Sequence, residues 1–462
     1  MKEIKIVNKR DFSNLPLSKE MLHNLSEIGY KEMTPIQAES LPFILEGRDV
    51  IAQAKTGSGK TAAFGIGLLH KLQVKKFRVQ SLILCPTREL ADQVAKELRM
   101  LARFSHNIKI LTLCGGTAFG PQLGSLRHGA HIIVGTPGRI LKHLKKETLS
   151  LEDVDMLVLD EADRMLDMGF SEEINEVLAF VPKSAQTLLF SATYTDEILS
   201  ISSSIQKDAL NIKTTQTEVA NKITERFYEG QNSGKLKTVI NILSNFKPEN
   251  VIIFANTKAE VQEIADTLQK NRIDALAIHG DLEQYERNDV LVQFANKSCP
   301  VLVATDVAAR GLDIKELSMV INYDLPHSQE TYTHRIGRTA RAGMEGLAFT
   351  LISPYEADKA DEYKNESRLF EDADSLKVLN GFEMKPQNIT LVIEGGKKDK
   401  VRAGDILGAL TGEAGLDGSS IGKIDIYDKQ SYVAIESKKV DEAYEKLKNG
   451  KIKGKKFSVW IL

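Results

Sequence analysis

Three carboxylates follow an apolar run in the stretch DMLVLDEADRMLDMGF, residues 155–170. The apolar run is typical of a buried strand, and it ends at Asp160 and Glu161, with Asp163 close behind. Crowded carboxylates repel each other and are costly to desolvate unless a cation lies among them. Mg²⁺ is the obvious cation because it prefers oxygen ligands and often shares them with nucleotide phosphates. The alternative is a strand that runs into an acidic, solvated helix start.

A glycine-rich segment, AKTGSGKT, lies between a predicted strand and a predicted helix. Its spacing is that of a phosphate-binding loop, except that Ala54 stands where the first glycine usually does. Gly57 and Gly59 permit the tight turn that brings backbone N–H groups to phosphate oxygens. Lys60 would reach the β- and γ-phosphates, and Thr61 would ligate Mg²⁺. The predicted phosphate-binding residues are Ala54, Lys55, Thr56, Gly57, Ser58, Gly59, Lys60 and Thr61.

The two motifs together predict a nucleoside triphosphatase, although neither is decisive alone. Asp160, at the end of a strand in the same sheet, would hold Mg²⁺ through its water shell. Glu161 would orient or deprotonate the attacking water. At this point the base of the nucleotide, adenine or guanine, is still open.

Length and composition limit the remaining possibilities. A chain of 462 residues predicts two to four domains. With 61 basic and 63 acidic residues, bulk charge indicates no polyanionic partner, so any such site must be local. The three scattered cysteines argue against a disulfide framework and a cysteine-based zinc site, and they fit a reducing compartment. Without a signal peptide or a long apolar run, we expect a cytoplasmic protein with no membrane partner.

Short apolar strands alternate with helical patterns from about residue 49, which predicts a parallel sheet covered on both faces. A polar stretch, residues 207–222, is predicted to be a linker, after which the alternation restarts with NVIIFANT. The pattern predicts two tandem α/β domains, residues 1–210 and 223–370. In the second domain FANTKAE follows that strand, where a glycine-rich loop would be expected. Residues 354–384 are predicted to form a closing helix and a linker.

Several further segments resemble the motifs of the DEAD-box RNA helicases, within superfamily two. VLDEAD, PTRELA, TPGR and SAT lie in the first domain, and ATDVAARGLDI and HRIGRTAR lie in the second. All occur in the order of the family, between about residues 12 and 370. The resemblance implies two tandem RecA-like domains and RNA-stimulated hydrolysis of ATP, with ATP and Mg²⁺ as cofactors.

The resemblance also implies roles at the nucleotide. In GYKEMTPIQ, Gln37 would read the adenine edge, while Phe12 and Tyr30 would supply aromatic surface near it. Arginine fingers from the second domain would reach the γ-phosphate and contribute about 10³–10⁵ in rate. Asp313 would contact the ribose. The catalytic residues so implied are Lys60, Asp160, Glu161, Arg338 and Arg341.

For RNA, the resemblance implies contacts from small, hydroxyl and arginine groups, which suit phosphate and 2′-OH recognition without base reading. Such contacts would come from Thr87, Arg88, Gly116, Thr136 and Arg139 in the first domain, and from Thr257, Gly280 and Thr305 in the second. Coupling between nucleotide and RNA is implied for Asp163, Ser191, Thr193, His334, Gln284 and Arg287. His334 is equally compatible with a satisfied core histidine, and only its motif favours coupling.

The last segment, residues 385–462, has the order βαββαβ of an α+β RNA-recognition-like domain. It holds 15 basic and 11 acidic residues, a net charge of +4 that leaves −6 for the rest of the chain. The stacking positions carry Thr390 in the first strand and only Tyr432 in the third, which weakens recognition by base stacking. Basic segments, GGKKDKVR and GKIKGKK, dominate instead, and Lys453 and Lys455 are predicted to contact RNA.

The wording of this domain, RAGDILGALTG to GKIKGK, resembles the RNA-binding domain of one bacterial DEAD-box subfamily. That resemblance implies binding to a 23S ribosomal RNA hairpin and a part in assembly of the large ribosomal subunit. Two alternatives stay open: a DNA-directed helicase of the same superfamily, and a non-enzymatic RNA clamp or chaperone.

Overall fold

The computed structural model describes residues 10–54, 57–213, 223–230, 234–309, 317–340, 345–364, 368–377, 379, 381–412 and 415–462. The chain divides into two compact units, one formed by residues 1–217 with 311–313 and the other by 218–310 with 314–462. Among the described helices, none is long and apolar enough to cross a bilayer.

The first unit is built on a seven-stranded, wholly parallel sheet. Its strands are β1 (Val50–Gln53), β2 (Ser81–Leu84), β3 (Ile110–Leu113), β4 (Ile132–Gly135), β5 (Met156–Asp160), β6 (Gln186–Ser191) and β7 (Leu210–Lys213). Their order across the sheet is β3-β4-β2-β5-β6-β1-β7. β7 lies within the stretch predicted as a linker, so that prediction was wrong for residues 210–213; its polar composition suits an edge strand.

Helices cover both faces of this sheet. They are α1 (Lys19–Glu27), α2 (Pro35–Leu45), α3 (Lys60–Lys71), α4 (Arg88–Leu101), α5 (Phe119–Arg127), α6 (Pro137–Lys145), α7 (Ala162–Asp167), α8 (Ser171–Leu178) and α9 (Asp196–Ile205). Two apolar clusters result, one on each side of the sheet. Buried strands such as β2 and β4 are therefore apolar on both faces rather than alternating.

The second unit contains another seven-stranded parallel sheet. Its strands are β8 (Ile223–Glu229), β9 (Val251–Phe254), β10 (Ala275–Ile278), β11 (Val301–Ala304), β12 (Met319–Asn322), β13 (Gly346–Leu351) and β14 (Leu369–Asp372). Their order, β10-β11-β9-β12-β13-β8-β14, is that of the first sheet strand for strand. β8 is thus the counterpart of β1, and the prediction that NVIIFANT, which contains β9, is the first strand was wrong.

The helices of this sheet are α10 (Lys235–Phe246), α11 (Lys258–Lys270), α12 (Gln284–Ala295), α13 (Asp306–Ala309), α14 (Gln329–Ile336) and α15 (Ala357–Ala360). The predicted closing helix is only the four residues of α15, flanked by 3₁₀ turns and followed by the edge strand β14. Its acidic and basic residues lie on exposed turns, which is why their density suggested a longer solvated helix.

The end of the chain forms a small α+β domain, and its βαββαβ order confirms the prediction. The elements are β15 (Asn388–Ile393), α16 (Ala403–Thr411), β16 (Ile421–Ile426), β17 (Ser431–Glu436), α17 (Val440–Asn449) and β18 (Val459–Ile461). The sheet is antiparallel, in the order β16-β17-β15-β18. One face of it packs on α16 and α17 through residues such as Leu391, Ile393 and Val433.

The opposite face of this small sheet is covered by α12 of the second parallel-sheet domain. Val392 and Tyr432 form an apolar cluster with Val292, and Trp460 and Leu462 pack against it. Polar bonds surround the cluster: Asn296 Nδ2 donates to Thr390 Oγ1 at 3.2 Å, and the hydroxyls of Ser298 and Thr390 are 2.7 Å apart. The face that sequence analysis considered for base stacking is therefore buried inside the unit.

Candidate active site

The loop between β1 and α3 has the backbone of a phosphate cradle. Gly57 and Gly59 have φ angles of 84° and 92°, in the left-handed region that glycine adopts without strain. A Cβ on Gly59 would lie 2.5 Å from Gln37 Nε2, so no larger residue fits there. α3 begins at Lys60, and its first N–H groups therefore face the loop.

Four buried polar atoms around this loop have no hydrogen-bond partner among the described residues. They are Thr34 Oγ1, Ser58 Oγ, Lys60 Nζ and Asp160 Oδ1. Buried polar groups are otherwise nearly always paired, so unpaired ones at one place indicate a missing ligand. An ammonium and hydroxyls suit phosphate oxygens, and a carboxylate suits Mg²⁺.

The described part of the chain holds no group of three or more histidine, cysteine, aspartate or glutamate side chains that could hold a metal ion. This is compatible with Mg²⁺, which keeps several waters and takes further ligands from nucleotide phosphates. Asp160 and Thr61 are the residues present that would hold it. The donor set therefore fits a magnesium nucleotide rather than a metal bound by protein alone.

Asp160 is electrostatically sensitive to what binds here. Burial raises its pKa to about 7, the positive charge of Lys60 acts to lower it, and Glu161 acts to raise it. A cation or a loss of proton at this point would relieve the cost of burying the carboxylate.

Glu161 follows Asp160 with a φ of 52°, an uncommon left-handed conformation for a non-glycine residue. Its Oε2 accepts a 2.8 Å bond from Arg164 Nη1, and both side chains are 5% exposed. Arg164 was missed by sequence analysis, although its position three residues along α7 is the spacing at which helical side chains meet. The bond fixes the orientation of the Glu161 carboxylate.

Asp163 joins the ends of the neighbouring strands β5 and β6. Its Oδ2 accepts bonds from Ala192 N (2.9 Å), Thr193 N (3.0 Å) and Thr193 Oγ1 (3.2 Å). Ser191 Oγ accepts a longer bond of 3.4 Å from Thr193 N. Three of the residues predicted to couple nucleotide and RNA thus form one connected group.

Gln37 lies at the junction of α2 and the phosphate loop. Its Oε1 accepts from Thr34 N and its Nε2 donates to the Gly59 carbonyl, both at 3.0 Å. An amide offers two N–H donors and two acceptor lone pairs, so one of each is left for a base. Phe12 and Tyr30 form an edge-to-face pair at 6.3 Å, but Phe12 is only 4% exposed and the Tyr30 hydroxyl donates to Glu97.

The predicted RNA-contacting residues of the first unit surround one loop, residues 114–118. A Cβ on Gly116 would lie 1.6 Å from Arg88 Nη1, so the guanidinium rests directly on the glycine. Arg139 Nη2 donates to the Thr117 carbonyl and its Nη1 donates to Gln122 Oε1. Thr87 and Thr136 are the N-cap residues of α4 and α6.

Gln122 is a residue that sequence analysis missed. Its Nε2 donates to the Cys114 carbonyl and to Thr117 Oγ1, while its Oε1 faces both Arg139 and His143 Nε2. It therefore connects the loop to α6. No sequence signal marked it, because a single glutamine between two motifs has no spacing of its own.

In the second unit, the predicted RNA-contacting residues also lie at strand ends. Thr257 caps α11, Thr305 Oγ1 accepts from Ala308 N, and exposed Gly280 lies next to the Lys258 side chain. These positions leave the hydroxyl of Thr257 and the backbone of Gly280 accessible to solvent.

Arg335, also missed by sequence analysis, organises the motif HRIGRTAR. Its guanidinium makes two 2.7 Å bonds to the Asp306 carboxylate, and the side chain is 1% exposed. Arg338, at the end of the same helix, is buried, while His334 is partly exposed. Arg341 and Asp313 lie outside the described residues, as do Lys55 and Thr56 of the phosphate loop.

The remaining coupling residues lie on α12. Arg287 Nη2 donates to the Ala308 carbonyl at 2.6 Å, which ties this helix to α13 after β11. Gln284 Nε2 donates to Asn288 Oδ1 within the helix. The first contact is the one that could transmit a movement between elements.

Comparisons with known proteins agree along the whole chain. Residues 34–201 match the DEAD/DEAH box helicase model, 234–343 the helicase conserved C-terminal domain, and 390–461 the DbpA RNA binding domain. The ATP-dependent RNA helicase DbpA of Escherichia coli is 51% identical over 96% of this chain and 97% of its own length. The chain belongs to the DEAD-box family of ATP-dependent RNA helicases.

Other DEAD-box proteins match the two helicase domains alone. The DEAD-box ATP-dependent RNA helicase CshA of Bacillus cereus is 46% identical over 75% of this chain and 66% of its own length. The structure of S. cerevisiae Dbp5 bound to RNA and ADP BeF3 covers 79% of this chain and 96% of the yeast chain, with a TM-score of 0.70 and 29% identity. The two parallel sheets are thus RecA-like helicase domains, as predicted.

Family membership decides between the alternatives left open by the sequence. The chain is a DEAD-box RNA helicase, so neither a DNA-directed helicase nor a non-enzymatic clamp is needed to explain its motifs. Its third domain is a DbpA-type RNA-binding domain.

The two basic segments of this DEAD-box protein's RNA-binding domain lie side by side. Lys453 Nζ donates a 3.1 Å bond to the Lys400 carbonyl, which brings residues 451–456 next to residues 397–402. Lys453 and Gly454 have positive φ angles of 54° and 78°, so the second segment forms a tight turn. Lys453 and Lys455 are exposed, away from the covered face of the sheet.

Proposed function

We propose that this helicase uses Mg²⁺ and ATP to separate or remodel short RNA duplexes on 23S ribosomal RNA during assembly of the large ribosomal subunit. The observation that carries the ATP part is the set of unpaired buried atoms that includes Lys60 Nζ and Asp160 Oδ1. The RNA target rests on the match of residues 390–461 to the DbpA RNA-binding domain.

Within this proposal the phosphate loop binds ATP. Lys60, Ser58 and the N–H groups at the start of α3 would hold the phosphates, and Gln37 would take the adenine edge. Thr61 and Asp160 would hold Mg²⁺, which supplies compensation for charge that develops on the phosphates. Arg164 positions Glu161 to accept a proton from the attacking water.

The second helicase domain completes hydrolysis by contributing arginine fingers, Arg338 and Arg341, to the γ-phosphate. RNA is bound through its backbone by Arg88, Gly116 and Arg139, which suits a helicase that acts on many sequences. Asp163 and Thr193 connect the two events, because both lie at the ends of strands next to the nucleotide loop. A cytoplasmic location agrees with three buried, free cysteines.

Selection of the target is assigned to the C-terminal domain. Because its sheet face is covered by α12, the adjoining segments 397–402 and 451–456 are proposed to contact RNA instead. Attachment to one site on ribosomal RNA would raise the local concentration of the helicase domains there.

The test is the rate of ATP hydrolysis at subsaturating concentrations of 23S ribosomal RNA, of an unrelated RNA of equal length, and of DNA. We expect the strongest stimulation by 23S RNA, weaker stimulation by unrelated RNA, and none by DNA. Glu161→Gln serves as the matched inactive control, since it retains the shape of the side chain but not the base. Equal stimulation by both RNAs would refute the proposed target while leaving the helicase assignment intact.

A further inference from the structure

Lys235 occupies in the second helicase domain the position that Lys60 holds in the first. Each is the first residue of the helix that follows the corresponding strand, α10 after β8 and α3 after β1. Both side chains are largely buried: Lys60 is 6% exposed and the Lys235 side chain is 10% exposed. The identical strand order makes these two lysines structural counterparts.

The two lysines differ in what they bind. Lys60 Nζ has no partner among the described residues, whereas Lys235 Nζ donates to Asp324 Oδ1 at 3.0 Å and to Glu356 Oε2 at 3.2 Å. Glu356 is itself held by Ser353 N and Leu325 N, at 2.9 and 3.2 Å. Carboxylates of the chain thus take the place that phosphate oxygens would take at Lys60.

Asp324 extends this cluster toward the helix of the arginine fingers. Its Oδ2 accepts a 2.9 Å bond from Asn256 N, and its carbonyl accepts a 3.0 Å bond from Arg335 Nη1. Arg335 Nη2 also donates to Asn256 Oδ1 at 3.2 Å. A displacement of Asp324 would therefore disturb two of the groups that hold the Arg335 guanidinium.

Arg335 and Arg338 share one turn at the end of α14. Arg338 N donates to the Arg335 carbonyl at 3.2 Å, and both side chains are buried. The backbone that carries the finger thus depends on the seating of Arg335.

We propose that Lys235 is a positioning residue for hydrolysis, which neutralises Asp324 and Glu356 and so fixes α14 and the finger Arg338. This inference rests on the proposed function, in which Arg338 acts on the γ-phosphate. The domain has retained the fold of a phosphate site and filled it with its own carboxylates, so that the site supports the finger in place of a second nucleotide.

The net charge of the cluster shows which variants are informative. Lys235, Asp324 and Glu356 together carry −1, and Lys235→Met would leave two neighbouring carboxylates carrying −2. Such carboxylates repel each other and shift. The double variant Lys235→Met/Glu356→Gln restores −1, and Lys237→Met removes an exposed lysine of the same helix without touching the cluster.

The experiment measures kcat and the KM for ATP of RNA-stimulated hydrolysis in the full-length variants, below the onset of thermal melting. We expect Lys235→Met to lower kcat about tenfold with an unchanged KM, since ATP binds at Lys60. The double variant should recover to within about twofold, and Lys237→Met should equal wild type. Lys235→Arg, whose planar cation cannot sit at the same point, should lower kcat about threefold.

A folded Lys235→Met with wild-type kcat, or an equal loss in the single and double variants, would overturn the inference. If Lys235→Met does not fold, Lys235→Arg decides, and an unchanged kcat for it would refute positioning. Arg338→Ala separates the two levels. If it retains wild-type kcat, the finger assignment fails; if only Arg338→Ala loses activity, the finger stands and the role of Lys235 falls.

Discussion

The hydroxyl of Tyr432 donates a 2.9 Å hydrogen bond to Asp289 Oδ1, which joins the third strand of the RNA-binding domain to helix α12 of the second helicase domain. Burial raises the pKa of both groups, so neither is in open solvent. A tyrosine where RNA-recognition folds stack bases is here part of an interface within the protein. The interface and the two candidate sites lead to four predictions.

Val292→Glu should separate the RNA-binding domain from α12. The new carboxylate would face Val392 and Tyr432, and burying an unpaired charge there costs about 3 kcal/mol or more. The measurement is hydrogen exchange of the Asn388 amide, which donates to the Lys297 carbonyl at 3.2 Å. Exchange should accelerate in Val292→Glu but not in Ala295→Glu, where the same charge is exposed. Equal rates in both would mean that α12 does not hold the domain.

Gly116→Ala should weaken RNA binding about tenfold, because a methyl group must displace the Arg88 guanidinium from the glycine and a charged hydrogen bond to RNA is lost. ATP affinity should stay the same, since Lys60 and its loop are untouched. Fluorescence anisotropy with a labelled single strand provides the measurement. Gly120→Ala, which has open space around its Cβ, is the control. Unaltered RNA affinity in Gly116→Ala would remove Arg88 from the RNA site.

Binding of magnesium ATP should release a proton from Asp160 near neutral pH. Its pKa of about 7 lies above its ordinary value because of burial, and a bound cation requires the ionised form. Nucleotide affinity should therefore rise as pH rises through 7. Calorimetric titrations in two buffers with different ionisation enthalpies measure the proton released.

The same shift makes a prediction for stability without nucleotide. The folded state binds more protons at Asp160 than the unfolded state between about pH 4 and 7, so the contribution of this group to stability falls as pH rises across that window. Asp160→Asn should remove both effects. Asp153→Asn, at a surface ion pair, should retain them. Proton release that persists in Asp160→Asn would assign the titration to another group.

Charge reversal at Lys453 and Lys455 should weaken binding to 23S ribosomal RNA and lower the salt dependence of that binding by about two contacts. Lys439→Glu with Lys448→Glu is the matched control, because these lysines lie at α17 beside Glu442 and Glu445. Affinity is measured at several salt concentrations. A similar loss in both pairs would indicate attraction by net charge alone.

The sequence predicted the elements whose residues are close along the chain. Alternating patterns gave the parallel sheets, and the order βαββαβ gave the third domain. Edge strands were harder: β7 and β14 have few apolar residues, since one side of an edge strand meets solvent. β8 went unrecognised as the first strand of its sheet, although the matching order of the two sheets makes its position plain.

At the candidate sites, sequence motifs marked the residues expected to meet ligands but not those that hold them in place. Lys60, Asp160 and Arg139 stand in recognisable spacing. Arg164 and Gln122 act through contacts with a neighbouring turn or helix, and nothing in their local sequence announces this. Such partners become visible only when the fold brings distant segments together.

The seating of the RNA-binding domain on α12 affects how the protein can be re-engineered. A graft of residues 385–462 onto another helicase would carry Val392 and Tyr432 but leave Val292, Asp289 and Asn296 behind. On a foreign helix the domain would be a loose tether, able to find its RNA but not to present it at a fixed angle. Specificity in this protein is therefore transferable only as a pair of surfaces, and α12 is half of the module.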